Sequence, residues 1–353
     1  MTEFQIGRAL SFKLSRLSFL CAMLVVAIHC SYRIDSFDEL PRVFAWLQAV
    51  VNYGVTRIAV PLFFVIFGFL FFRDFDQSVE WWCRKLRKRT TSLVLPYLVW
   101  SLIGLAVLAG ANQVRNNPIF LDVDNVKWWL QAVGISAAPI GNYVLWFVRE
   151  VILATLIAPL IGLSIRWCGL VIPLLLLALG ILGMNFYGNL AYISFGAYLG
   201  MGGWRTLEKI AQILERSVIT AMLGILWAAL IIVVTFVKLG WIAAPLFLQS
   251  SLVCIMNICG MSFLWFGYNH IASEKILGFF DPVARSAFVV YVMHTLISPV
   301  IQYPMLHSSF AATHPFAFCF VSYVMMVLAP ILFWALIERF APRWMRQALA
   351  GGR

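Results

Sequence analysis

Leu17 to Ser31 reads LSFLCAMLVVAIHCS, apolar throughout except near its end, where His29 stands. A run of this kind reads as a membrane-crossing helix. An ionisable side chain inside such a helix is costly, so it is expected to face a protein interior or a watery cavity and to have a function. Similar runs recur along the chain. Ten spans are expected, at about 14–34, 53–72, 91–110, 142–164, 168–185, 188–203, 217–237, 242–267, 284–304 and 315–337. The alternation of a membrane β-barrel is absent, so the spans are expected to be helical. Composition agrees: 62% of residues are hydrophobic and 12% charged, against roughly half and a quarter in soluble domains. The expectation is an all-α integral membrane protein of about ten transmembrane helices. It forms one domain over residues 1–353, with no separate soluble domain.

The net charge of +11 does not point to nucleic acid, because the basic residues lie between the spans. With the N-terminus placed in the cytoplasm, nineteen Lys and Arg fall on the inner side. Five fall outside, Arg33, Arg42, Arg115, Lys127 and Lys238, and two, Arg57 and Arg149, fall within spans. That asymmetry obeys the positive-inside rule and predicts both termini in the cytoplasm. The seven cysteines form no CxxC pair, so neither a metal site nor a disulfide framework is expected. The basic start, Arg8, Lys13 and Arg16, looks like a signal peptide, but no small-residue cleavage site follows.

Two connecting segments stand out. Trp81 to Arg89, WWCRKLRKR, is expected to be an inner loop lying amphipathically at the lipid headgroups. It is either a topology anchor or also an attractor for the phosphates of a nucleotide-bearing donor. The outer loop from Ala111 to Gly141 contains VKWWLQAVGI, which predicts a short helix on the outer surface. NFYGN, Asn185 to Asn189, is a turn signal between the fifth and sixth spans.

Four ionisable residues are expected at similar depth. His29 is near the outer end of the first span, Arg57 near the outer start of the second, and Arg149 and Glu150 about two turns into the fourth. His294 lies deeper in the ninth. Each has a structural alternative. His29 is either a satisfied helix-end group or a base. Arg57 and Glu150 either neutralise each other or act on substrate. His294 either bonds a backbone carbonyl or faces an acceptor. Trp128, Trp129, Tyr143 and Trp146 form an interfacial belt or offer flat faces to a sugar ring.

Five stretches in order, LSFLCAMLVVAIHCS, TRIAVPLFFVIFGFLFF, RKLRKRTTSLVLPYLVW, LWFVREVILATLIAPLI and SAFVVYVMHTLI, resemble membrane acyltransferase family 3. Members of that family include bacterial O-acetyltransferases of surface polysaccharides. Two positions depart from its pattern. The family arginine eleven residues before the first-helix histidine is Ser18 here, and the nearest arginine, Arg16, is thirteen residues before His29 and about 140° off its face of the helix. The family's Ser-Gly in the second helix is Phe67-Gly68.

The resemblance implies acyl transfer from cytoplasmic acyl-CoA, acetyl-CoA in the first instance, to a hydroxyl of a carbohydrate acceptor at the outer face. The membrane would be the bacterial cytoplasmic (inner) membrane, and no permanently bound cofactor or metal is expected. His29 would take the hydroxyl proton. Glu150 would orient the imidazole, and Arg57 or Arg149 would stabilise the oxyanion. The donor phosphates would meet Lys13, Arg16, Arg84, Lys85, Arg87, Lys88 and Arg89. The acceptor would meet Asn142, Tyr143, Trp146, Tyr291 and His294. The rivals are a transporter or flippase using the same buried charges as a path, and a non-catalytic scaffold. The absence of a clear internal repeat counts against the transporter.

Overall fold

A computed structural model gives the structure over residues 7–32, 41–114, 125–183, 185–271, 274–306 and 308–351. Arg33, Arg115 and Arg353 lie outside the described residues, as does the end of the first expected span. Among the described residues there is no strand. In chain order the helices are α1 (Arg8–His29), α2 (Arg42–Ala49), α3 (Ala59–Phe72), α4 (Val79–Arg89), α5 (Leu95–Val114), α6 (Val126–Ala132), α7 (Trp146–Leu156), α8 (Ala158–Cys168) and α9 (Val171–Ile181). They continue as α10 (Asn185–Gly200), α11 (Glu208–Leu214), α12 (Ser217–Lys238), α13 (Leu246–Ile271), α14 (Glu274–Ala284), α15 (Ala287–Leu306), α16 (Ser309–Thr313), α17 (Pro315–Phe340) and α18 (Arg343–Ala350). The chain divides into two compact units. The first comprises residues 1–78 with 158–284, and the second residues 79–157 with 285–353.

Seven helical stretches are long and apolar enough to cross a membrane: Arg8–His29, Arg42–Phe72, Val79–Ala111, Ser217–Lys238, Leu246–His270, Ala287–Leu306 and Pro315–Phe340. Tyr143–Leu156 and Ala158–Cys168 qualify only as a pair, which makes eight. The protein is thus a multi-pass, all-α membrane protein. The expected ten included two helices that the structure makes short. α9 has 11 residues and α10 has 16. At 1.5 Å per residue they rise about 16 and 24 Å, short of the ~30 Å hydrocarbon core.

These two helices also correct the reading of NFYGN as a turn. Asn185 opens α10, and the chain reverses earlier, at Gly183, whose φ of +98° is left-handed. Gly188 of NFYGN serves close approach instead: a Cβ added to its neighbour Gly180 would sit 2.6 Å from the Gly188 Cα. The same device joins α10 to α3. A Cβ at Gly68 would collide with the Ile193 carbonyl, and one at Gly196 with the Val65 carbonyl. Small residues that let backbones touch are how helices associate where lipid is as apolar as leucine. The Gly68 of the family-like pair is therefore a crossing point.

In the first unit the second span begins earlier than expected. α2 runs through a π-helical turn, Val50–Gly54, and a 3-10 turn, Val55–Ile58, into α3. The expected start at residue 53 gives way to a 31-residue stretch from Arg42, so Arg57 is near its middle. Pro61 accounts for part of the irregularity, because it lacks an N–H and its ring crowds the carbonyl four residues back, which is that of Arg57.

In the second unit the basic segment expected as a loop is the helix α4. It continues through a π turn, Thr90–Val94, into α5. Leu, Lys, Arg and Glu are good helix formers, and the wide turn absorbs Pro96, the second residue of α5. Trp81 is fully buried, while Arg84, Arg87 and Lys88 are exposed, so α4 is amphipathic. The short helix expected in VKWWLQAVGI is α6, capped by Asn125, whose side chain accepts from the Lys127 N–H at 2.9 Å. α18 packs on α5, where Trp100 Nε1 donates to the Leu349 carbonyl at 2.8 Å.

Candidate active site

His29 is the last residue of α1 and is half-buried. The helix stops there because the chain is taken over by side chains from the next span. Gln48 clamps Tyr32 on both sides: its Oε1 accepts from the Tyr32 N–H at 2.9 Å and its Nε2 donates to the Tyr32 carbonyl at 2.8 Å. Four residues on, one turn along the same face, Asn52 Oδ1 accepts from Ser31 Oγ at 2.7 Å. Gln48 and Asn52 are 6% and 2% exposed. The two residues directly after Cys30 are therefore fixed by a polar pair buried in an apolar span, and they fix the end of α1 that carries His29.

Arg57 joins the same group. Its Nε donates to the Asn52 carbonyl at 2.8 Å, and its guanidinium stands 5.6 Å from the Tyr53 ring centre. Thr56 Oγ1 donates to the Val51 carbonyl at 2.7 Å. The carbonyls of the π turn thus accept extra side-chain donors, and Arg57 is held against the segment that packs on α1. Its side chain is otherwise exposed. The result is a connected polar line, Ser31 to Asn52 to Arg57, beginning two residues beyond His29.

Arg16 and Lys13 sit at the other end of α1, about 20 Å and 24 Å along the axis from His29. Arg16 makes a bidentate pair with Asp281 of α14, Nε to Oδ1 at 2.6 Å and Nη2 to Oδ2 at 2.9 Å. It also donates to Tyr268 Oη at 2.8 Å. The Arg16 guanidinium holds the Asp281 carboxyl below the usual carboxylate range. Lys13 lies 4.1 Å from the Trp265 ring centre and donates to Asn269 Oδ1 at 3.1 Å. Asn269 in turn donates to Glu215. Arg16 is thus tied to the α13–α14 side of the unit, away from the helix face on which Ser18 stands.

The remaining expected residues belong to the second unit. Arg149 and Glu150 are the fourth and fifth residues of α7, about two turns from Tyr143, where the span begins. They are each other's ion partner at 3.9 Å, and Arg149 also reaches the Ile135 carbonyl at 3.3 Å. Asn142, Tyr143, Trp146, Tyr291 and His294 gather where the start of α7 meets α15. Asn142 is fully buried: its Nδ2 donates to the Val292 carbonyl at 3.0 Å and its Oδ1 accepts from Thr295 at 3.2 Å. Tyr291 donates to the Val144 carbonyl and packs edge-on against Phe147. His294 is 0% exposed and has Nδ1 at 3.2 Å from the Val290 carbonyl. Tyr143 is 51% exposed. Of this group Tyr143 and Trp146 keep surface for a ligand, while Asn142 and Tyr291 fasten two elements together. The basic residues Arg84, Lys85, Arg87, Lys88 and Arg89 line α4, with Lys85 Nζ 5.5 Å from the Trp81 ring centre.

Gln48 and Asn52 are absent from the sequence reading. The available signal was two amides four residues apart, just before an apolar run that holds an arginine. Their polarity instead set the span boundary after them.

Comparison with known proteins bears on what these residues can do. The chain is 27% identical over 226 residues to the succinoglycan biosynthesis protein ExoH of Rhizobium meliloti (strain 1021), a match over 62% of this chain and 60% of that protein. No solved structure matches the chain. The sequence pattern of the acyltransferase 3 family, described as an acyltransferase domain, matches residues 17–335, which run from α1 into α17 and include every group described above except Lys13, Arg16 and the C-terminal helix. A multi-pass helical membrane protein matched over nearly its whole length, this chain belongs to the acyltransferase 3 family.

Proposed function

We propose that the protein moves an acyl group, acetyl in the first instance, from cytoplasmic acyl-CoA to a hydroxyl of a cell-surface carbohydrate or its lipid-linked precursor, with His29 as general base. The observation that carries this reading is the polar line at the His29 end of α1: an imidazole, a buried amide and an arginine collected inside apolar helices of a chain from an acyltransferase family. Such groups are costly in a membrane and are retained where they act. The resemblance to a protein named for succinoglycan biosynthesis favours a carbohydrate acceptor.

In the proposed reaction, neutral His29 accepts the proton of the acceptor hydroxyl as that oxygen attacks the thioester carbonyl. Negative charge gathers on the carbonyl oxygen, and Arg57 stabilises it in a water-poor site. Collapse restores the carbonyl and expels the CoA thiolate, which takes the proton from His29. Lys13 stands about 24 Å along α1 from His29, so one helix runs from a basic end to the reacting level. The basic face of α4 adds long-range attraction for a polyanionic donor. The excess of Lys and Arg on one side favours a bacterial cytoplasmic membrane with both termini inside.

The test is replacement of the base. His29→Gln and His29→Ala should reach the membrane at wild-type levels while turnover falls by about 10²–10⁴-fold. Mass spectrometry of surface polysaccharide from a deletion strain complemented with each variant should show the mass of one acyl group missing. Acylation retained at the wild-type level in a well-folded variant refutes the assignment.

A further inference from the structure

Asn52 is used at one end only. Its Oδ1 accepts from Ser31 Oγ and its backbone carbonyl accepts from Arg57 Nε, yet Nδ2 is buried with no hydrogen-bond partner among the described residues. The residue is 2% exposed. An amide N–H left unpaired away from water carries its desolvation cost uncompensated, and in a membrane no solvent arrives to relieve it. The π turn that carries Asn52 adds to the oddity. Such turns insert one residue into a helix, re-aim the side chains around it and frequently mark functional sites. Here the turn sits beside the end of α1 that carries His29.

We propose that Asn52 is a catalytic residue whose Nδ2–H donates to the carbonyl oxygen of the acyl group being transferred. The inference rests on the acyl-CoA reading above and adds a neutral donor to it. As the acceptor hydroxyl oxygen bonds to the carbonyl carbon, its proton passes to His29 and the C=O π pair moves onto oxygen. The Nδ2–H and the Arg57 guanidinium, anchored on the same residue, meet that charge. When the oxygen lone pair re-forms the C=O bond, the C–S bond breaks and the thiolate leaves with the His29 proton. The single Ser31 hydroxyl proton has two acceptors in reach, Asn52 Oδ1 at 2.7 Å and the Ile28 carbonyl at 3.0 Å, and the shorter contact orients the amide. A hydroxyl donating to Oδ1 leaves Nδ2 as the free end, so the group offered to the reacting centre is a donor and not a second acceptor.

The amide can be tested apart from its tether. Asn52→Asp keeps the Oδ1 that accepts from Ser31 and removes the N–H. It should lower kcat by about 10²–10³-fold, the usual effect of losing one oxyanion donor, with KM for acyl-CoA changed less than about threefold. A merely tethering Asn52 would leave kcat within about threefold, and that result overturns the proposal. Because an introduced carboxylate can also disturb folding, a second measurement uses carbon-13 carbonyl-labelled acetyl-CoA and succinyl-CoA bound to the turnover-blocked His29→Gln protein. Infrared difference spectra should show a bound carbonyl band below its solution frequency. The band should return to the solution value when Asn52→Ala is added. A lowered band that Asn52→Ala leaves unchanged overturns the role of Asn52 and spares the acyl-CoA reading. No bound carbonyl band from either donor overturns that reading and the present inference with it.

Discussion

Two of this protein's buried asparagines, Asn52 in the π turn and Asn142 just before the start of α7, are used differently. Asn142, in the second unit, spends both ends of its amide, donating to the Val292 carbonyl and accepting from Thr295. Asn52, in the first, spends its oxygen on Ser31 and leaves its nitrogen without a partner among the described residues. Burial is nearly the same, at 0% and 2%. The difference separates a fastener from a group held ready, and burial or residue type alone would not have made it. The same contrast runs between the arginines. Arg16 is committed to a carboxylate by two short bonds, whereas among the described residues Arg57 gives Nε to a backbone carbonyl, stands 5.6 Å from the Tyr53 ring centre and is an exposed residue.

If this contrast is functional, Arg57 and Asn142 should fail in different ways. Arg57→Gln should show the larger effect, a fall of about 10²-fold or more in kcat with the melting temperature nearly unchanged, because the lost charge acts only when the oxyanion forms. Turnover and thermal unfolding of the purified protein would read the two quantities separately. A variant that melts early but turns over normally would make Arg57 a fastener too and erase the distinction.

Asn142→Ala should do the reverse. It removes a donor from the Val292 carbonyl and an acceptor from Thr295 between the start of α7 and α15. Interhelical bonds in membrane proteins contribute about 0.6 kcal/mol on average and up to about 1.7 kcal/mol. A loss of about 1–2 kcal/mol is expected, seen as a drop of a few °C in melting temperature. The specific activity of the folded fraction should stay within a few-fold of wild type. A fall of a hundredfold with no change in melting would move Asn142 from fastening to substrate handling.

Residues near these two groups show which parts of the molecule the sequence made legible. His29 and Arg57 stood out because an ionisable group in an apolar run is rare for a physical reason, and the membrane class followed from the same runs. Asn52 and Gln48 did not stand out. An amide lowers local hydropathy just as a loop does, so the second span seemed to begin after them. Only their bonds to Ser31 and Tyr32, far away in sequence, reveal the work they do. Gly188 misled in the opposite direction. A glycine beside two asparagines reads as a turn, and its close approach to Gly180 is a tertiary fact that no local pattern encodes. The basic run from Arg84 to Arg89 read as part of an inner loop lying amphipathically at the headgroups; its residues are helix formers, and the amphipathic segment is the helix α4.

The smallest expected effect belongs to the committed arginine, and it comes with a pH dependence. The Arg16 guanidinium lowers the folded-state pKa of the Asp281 carboxyl, chiefly through their hydrogen bonds. A carboxylate lowered in this way contributes stability above its unfolded pKa, near 4 for aspartate. That contribution disappears as pH falls through the still lower folded value. The Asp281 side chain is partly exposed, at 29%, so screening keeps the effect small. Between pH 6 and pH 3, wild-type melting should therefore fall by on the order of 1 °C more than that of Asp281→Asn, which has no carboxyl to titrate. At pH 7 the two proteins should turn over acyl-CoA alike, since this pair lies about 20 Å along α1 from His29. Unequal turnover at pH 7 would mean that Arg16 is not fully spent on Asp281, and the division between committed and available cations would have to be redrawn at that end of the helix.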